Sequence, residues 1–489
     1  MSVTRLCLGA FLVGALSGCS DSDSLPAAPQ PRLPALPRPA GQELAPRYVI
    51  VVIGDGMQQA HEVAASRYLF GTDAGLSFHQ LPVQAYVTTW DVSGYNVRAS
   101  ALGAPAYDPA SFDPNIGYDI ELGGNAPYPT LPDQPARRLF FLTEPHPDSA
   151  STGSAMSTGL KTDYNNIAWA AGDPSLGQLE TSPATLRRRW GMSSGFVTTV
   201  PLSHATPATW FSHNVDRYNY ISIGHEMLSV TRPDVMIGGG VGPEDGNYVS
   251  QSDVDTAVGS KRWSFVERKS GVDGADSLRA AAAHATATKQ GLLGVFGGAA
   301  GNFESPIPSD TPGAPLVARA STENPLLADA ALSAIDVLAQ NPRGFFLMVE
   351  QGDVDWSNHA NDYARMIGCM WDLHNAVQAI VDYVDQPNDS MDWSNTTLLV
   401  TADHANSYLR LEKQLGSGDL PAQINQNGVF SYPDGDVTYG TTQHTGELVT
   451  LHARGYAADR VLSYATQFPG LPIVDNTDIY RLTIDGAER

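Results

Sequence analysis

Apolar side chains recur along this chain in two rhythms. Tyr48 to Ile53, Gly195 to Val200, Phe345 to Val349 and Thr397 to Ala402 are short runs rich in β-branched and aromatic residues, which predict strands buried on both faces. Asp234 to Gly240 reads as a further strand and turn, and Leu448 to His452 follows a loop that carries His444. A helical spacing replaces these runs at Leu326 to Leu338, with Leu327, Ala331, Ala334, Ile335 and Leu338 on one face. A long helix ending at Val384 is predicted by Met366, Cys369, Met370, Leu373, Val377, Ile380 and Val384. Small residues from Ser149 to Thr158, after Asp148, predict a tightly packed helix start. Strands alternating with helices predict an α/β fold with a central, mostly parallel sheet flanked by helices. No internal repeat, G-x-G-x-x-G or P-loop pattern interrupts it.

Two stretches lack either rhythm. Residues 91–145 are rich in Pro, Gly, Asn, Tyr and Asp and are expected to be a loop-rich insertion that could cover a site; residues 241–320 are expected to be a second irregular insertion. The chain divides into a leader at 1–18, a Pro/Ala-rich linker at 19–46 and one catalytic domain at 47–489. Arg5 followed by the apolar Leu6 to Leu16 has the form of a secretory signal, too short to span a membrane. Leu16-Ser17-Gly18-Cys19 resembles a bacterial lipobox, which implies an exported protein, periplasmic or held at the outer membrane only through lipidated Cys19.

Composition narrows the function. With 42% hydrophobic and 17% charged residues the 489-residue chain is globular, and a net charge of −23 argues against nucleic-acid or anionic-membrane binding by charge. Cys369 is the only thiol of the domain at 47–489, so the domain has no internal disulfide, and its place in the apolar spacing marks it as a buried core residue.

Three of the strand-like runs end in metal-binding residue types: Ile53 leads into Asp55, Val349 into Glu350, and Ala402 into Asp403-His404. Beyond Glu350, Asp355 and His359 stand four apart, on one face of a helical turn, a spacing and ligand mix that suits Zn²⁺. In open α/β sheets, ligands bind beyond the carboxyl ends of the strands, so these ends point to a shared metal site.

The motifs Gly54-Asp55-Gly56-Met57, Asp148-Ser149-Ala150 running to Ser157-Thr158-Gly159, Ala205-Thr206-Pro207, Glu350 to His359, Thr401-Ala402-Asp403-His404 and His444-Thr445-Gly446 together resemble the bacterial alkaline phosphatase family, in the family's order. The resemblance implies hydrolysis of phosphate monoesters through a phosphoserine on Ser149, with Arg217 gripping the phosphate. It implies one Zn²⁺ held by Asp355, His359 and His444, and another by Asp55, Asp403 and His404. A third metal, Mg²⁺ in much of the family, would be held by Asp55, Thr206 and Glu350. A homodimer is the family's usual assembly. A well-known enteric member has Asp two residues before the Thr ligand and Lys directly after the zinc-binding Asp. Here His204 and Trp356 stand there, so the imidazole is expected to join the third site, which could then hold Zn²⁺ or Co²⁺. A phosphodiesterase or sulfatase-like relative, and a catalytically silent metal-binding lipoprotein, are the competing readings. The other histidines, His61, His79, His146, His213, His225, His284, His374 and His452, read as surface or core residues. The lipobox reading predicts that Cys19→Ser releases the protein from the membrane fraction; continued membrane partitioning would refute it.

Overall fold

A computed structural model describes residue 45 and residues 47–126, 136–172, 175, 177–241, 247–298, 300–387 and 390–489. The leader and nearly all of the linker therefore lie outside the described residues. Among the described residues no helix is long and apolar enough to cross a membrane.

Ten strands form the central sheet. In chain order they are β1 (Arg47–Gly54), β2 (Val83–Thr88), β3 (Ser193–Pro201), β4 (Val235–Gly239), β5 (Trp263–Glu267), β6 (Gly291–Val295), β7 (Gly344–Gln351), β8 (Thr396–Thr401), β9 (Val449–Gly455) and β10 (Ile473–Asp475). Their spatial order is β10-β2-β9-β8-β1-β7-β3-β4-β6-β5. Pairing is parallel throughout except where β9 runs antiparallel to β8 and β2. The helices that matter below are α1 (Gln59–Phe70), α2 (Val92–Leu102), α3 (Ser149–Thr158), α4 (Ala205–Phe211), α5 (Gly274–Thr288), α6 (Leu327–Leu338), α7 (Asp353–His359), α8 (Tyr363–Val384) and α9 (Asp478–Ala487).

The apolar runs explain the middle of the sheet. Residues Val49 to Ile53 of β1 and Phe345 to Val349 of β7 are all fully buried, so neither strand has a solvent face. That demands helices on both sides. One group, α1, α5, α6 and α8, packs together against the sheet, and a second group, α3, α4 and α9, does the same. Burying each Val, Ile, Leu or Phe contributes about 1.5–3 kcal/mol, which these central strands collect on both faces. All seven apolar positions of the α8 stripe are buried, Cys369 among them, and Asp362 caps the helix by accepting from the Arg365 N–H at 3.1 Å. Burial pushes the Cys369 thiol up, as expected for an inert core cysteine.

Register then sets the site. β1 lies between β8 and β7, and Ile53 is level with both Thr401 and Glu350. On the far side of β7, Thr198 of β3 is also level with Glu350. Four adjacent parallel strands thus end at one height, and the residues just beyond them emerge side by side.

Two expectations are corrected. The stretch 241–320 is not an irregular insertion: it contains β5, α5 and β6, which extend the central sheet at its edge. Its strands are five residues long and β5 is half-exposed, so the apolar run that marks a doubly covered strand is missing there. The stretch 91–145 carries α2 and three shorter helices, Pro114–Gly117, Ile120–Gly123 and Ala136–Thr143. Local caps form the first three: Asp91, Asp113 and Asp119 each accept from a backbone N–H in the first turn. Trp90, Tyr95, Tyr118 and Leu142 pack into a small apolar cluster with Tyr408, Leu448, Phe468 and Ile473, which seats this region on the rest of the domain.

Candidate active site

Beyond the aligned strand ends lie the residues picked out by the strand-end pattern and the motifs. Asp55 sits in the turn after β1, and Glu350 is the penultimate residue of β7. Asp355 and His359 are on α7, Asp403 and His404 follow β8, and His204 and Thr206 lie at the start of α4. His444 is brought in by a two-residue strand, His444–Thr445, paired with Ala405–Asn406. They form three groups whose ligand atoms lie within 4.8 Å of one another: Asp355 with His359 and His444; Asp55 with Asp403 and His404; and Asp55 with His204 and Glu350. Thr206 joins the third by donating to Asp55 Oδ2 at 3.0 Å. Asp55 belongs to two of the groups.

The turn that places Asp55 requires glycine next to it. Gly56 has φ +68°, and a Cβ there would stand 2.7 Å from Asp355 Oδ1. Its N–H donates to Asp403 Oδ1 at 3.0 Å, tying the ends of β1 and β8 together. Asn406, which the sequence did not single out, donates to Asp355 Oδ1 at 2.6 Å and fixes that carboxylate. An Asn two residues after a His has no signature of its own, so only the fold reveals it.

The histidines are oriented through their other nitrogens. His359 Nδ1 faces the Thr442 carbonyl at 2.7 Å and His444 Nδ1 the Pro147 carbonyl at 2.9 Å. Donation there leaves both Nε2 lone pairs turned inward, 3.0 Å apart, with Asp355 oxygens 3.1 and 3.4 Å away. Such backbone anchoring is the usual partner of metal-ligating imidazoles. His404 Nδ1 faces the Ala405 carbonyl at 3.2 Å, and its Nε2 lies 3.3 Å from Asp403 and 3.6 Å from Asp55. The ring of His404 stacks on that of His444, with centroids 3.7 Å apart.

The electrostatics ask for cations. Burial, then repulsion from Asp403 and Asp355, drives the Asp55 carboxyl well above its usual range. Burial lifts Glu350 to about 8 and Asp403 to about 6. Burial would raise Asp355 too, but His359 and His444 beside it hold it well below. Burial also lowers His204 to about 3, so its imidazole is neutral. Asp55 Oδ1, both Glu350 oxygens, Asp403 Oδ2 and His204 Nδ1 are buried with no hydrogen-bond partner among the described residues. Orphaned carboxylate oxygens and inward-facing Nε2 lone pairs fit divalent cations, which satisfy both at once.

Ser149 is the first residue of α3, and Asp148 caps the helix by accepting from the Ser151 N–H at 3.1 Å. Ser149 Oγ lies 3.1 Å from His404 Nε2, at the edge of the cluster. Arg217 donates through Nη1 to Asp148 Oδ2 at 2.9 Å. Burial would lower the guanidinium, yet Asp148 outweighs it and Arg217 stays charged. Trp356 meets the edge of His204 with centroids 5.7 Å apart. His146, read as an ordinary histidine, lies 5.7 Å from His444, ring to ring. Every sequence-nominated residue therefore reaches this cluster or the serine and arginine at its rim.

Residues 140–414 match the family model for alkaline phosphatase. The chain is similar to alkaline phosphatase 4 of Bacillus subtilis, 29% identical over 282 residues, 56% of this chain and 51% of that one, so it spans about half of that relative's length. It is 26% identical over 472 residues to streptomycin-6-phosphate phosphatase of Streptomyces griseus, covering 89% of each chain. In fold it resembles the alkaline phosphatase of the Antarctic bacterium TAB5, with a TM-score of 0.59 at 17% identity over 91% of this chain and 99% of that one. A His-to-Asp variant of the TAB5 enzyme, described with Mg bound in its M3 site, matches with a TM-score of 0.57 at 18% identity over the same shares. With its sheet order, metal-ligand cluster and buried serine at a helix start, the chain belongs to the alkaline phosphatase family.

Proposed function

We propose that this protein hydrolyses phosphate monoesters through a phosphoserine formed on Ser149, in a site built for two Zn²⁺ ions and a third metal. The observation that carries this reading is Ser149 Oγ at the N-terminus of α3, 3.1 Å from His404 and facing the ligand cluster. Asp355, His359 and His444 would hold one zinc, and Asp55, Asp403 and His404 the other. Asp55, His204, Thr206 and Glu350 would hold the third ion. When bound, these cations supply positive charge against the oxygens that gain charge in an in-line displacement.

The chain's own groups do the rest. Ser149 stands at the N-terminus of α3, whose dipole favours an anion there. Asp148 holds Arg217 by one nitrogen and leaves the rest of the guanidinium fork for a phosphate dianion. Ser149 Oγ then bonds to phosphorus as the bond from phosphorus to the leaving oxygen breaks, and the leaving alcohol departs with a proton. Water attacks the phosphoserine in a second displacement, releasing inorganic phosphate and restoring Ser149. Two inversions give net retention at phosphorus.

The test compares kcat/KM for an aryl phosphate with that for an aryl methyl phosphodiester. The monoester should be preferred, and Ser149→Ala should abolish turnover. Arg217→Ala should lower monoester kcat/KM about 10- to 150-fold, the equivalent of about 1.5–3 kcal/mol for hydrogen bonds to a charged group. It should change diester hydrolysis little. A diester preference in the unaltered enzyme overturns the reading.

His204 bears on the third metal. Its neutral imidazole favours a borderline ion over Mg²⁺, which prefers oxygen ligands. The TAB5 variant described with Mg in its M3 site after a His-to-Asp change supports this for the present chain. His204→Asp should therefore shift activation toward Mg²⁺ in a metal-titration assay, and an unchanged activation profile counts against it.

A further inference from the structure

A second set of metal-ligating side chains lies outside the catalytic cluster and shares no residue with it. Glu62 is in the first turn of α1, His79 in the short helical turn Ser77–Gln80, and His452 in β9. Their ligand atoms lie within 4.8 Å of one another. Glu62 Oε2 is 3.0 Å from His79 Nε2 and 3.6 Å from His452 Nε2. Bonds of about 2.0–2.1 Å in a tetrahedral Zn²⁺ site place neighbouring ligand atoms about 3.3 Å apart, between these two distances.

The surroundings suit a metal ligand set. The other Glu62 oxygen, Oε1, accepts from Thr450 Oγ1. Thr450 and His452 sit on the same face of β9, two residues apart. The carboxylate is thereby fixed with its other oxygen turned toward the two imidazoles. Phe78 is fully buried and packs on both imidazoles, with centroids 5.0 and 5.3 Å from His79 and His452. His452 is 4% exposed, and its Nε2, aimed at Glu62, has no hydrogen-bond partner among the described residues. Burial would raise the Glu62 carboxyl, but the two imidazoles beside it hold it well below its usual range, so it is ionised as a ligand must be.

Two ring nitrogens converge on one carboxylate oxygen. His79 Nε2 is within hydrogen-bond distance of that oxygen at 3.0 Å, whereas His452 Nε2, at 3.6 Å, is beyond it and is left buried without a partner among the described residues. One divalent cation satisfies all three atoms. We propose that Glu62, His79 and His452 form a further divalent-metal site that takes Zn²⁺ or a similar borderline ion, with a fourth position for water. The site clamps α1, the Ser77–Gln80 turn and β9 together.

The probe is zinc itself, added to the full-length protein and followed by exhaustive dialysis. The count of zinc per chain should fall by one equivalent in a His79→Gln/His452→Gln double variant, with aryl phosphate turnover unchanged at saturating zinc. A crystal of the zinc-loaded wild type should show an anomalous peak at the zinc edge between the three side chains. An equal zinc count in wild type and variant overturns the proposal. So does a wild-type map without that peak, which decides the matter even if the variant fails to fold. A loss of phosphatase activity with Ser149→Ala has no bearing on either readout, so the two readings fail separately.

Discussion

Four buried carboxylates, Asp55, Glu350, Asp355 and Asp403, crowd one end of the sheet, and the rest of the site answers to that crowding. Gathering like charges away from water is costly unless cations or protons offset them. The fold enforces the gathering through register, because β8, β1, β7 and β3 are adjacent and end level with one another. Core burial along those strands, gained on both faces, supplies the stability against which the repulsion is set. A site of this kind is stable with its metals and strained without them, so metal binding and local folding are linked.

Asp55 is the pivot. It reaches His404 on one side and Thr206 on the other, and it belongs to two ligand groups. The left-handed Gly56 beside it lets the chain turn within 2.7 Å of Asp355 without a clash. Backbone carbonyls of Pro147 and Thr442 aim the imidazoles, and Asp148 both caps the serine helix and holds Arg217. Ser149, the clustered carboxylates and imidazoles, and Arg217 are thus fixed by a few direct contacts.

The central strands and the α8 stripe were legible in the sequence because full burial leaves continuous apolar runs and heptad-like spacing leaves a period. The clustered carboxylates and imidazoles were legible because several of them directly follow those runs, and the ordered motifs joined them to Ser149, Arg217 and His444. What stayed hidden has a common cause. β5 is a short edge strand and β6 beside it is only five residues long with two glycines, so 241–320 looked irregular. Asn406, His146, and the trio of Glu62, His79 and His452 acquire their meaning from contacts between elements that are separate in the chain. His452 illustrates it: on β9 it looks like one more inward-facing strand residue, until α1 brings Glu62 to it.

The central claim is that phosphate passes through Ser149. Acid quenching during turnover of an aryl phosphate, followed by peptide mass spectrometry, tests it directly. The account predicts a phosphoryl group on Ser149, and none on any peptide of the Ser149→Ala protein. Steady turnover with no phosphorylated Ser149, or with the label on another residue, would contradict it.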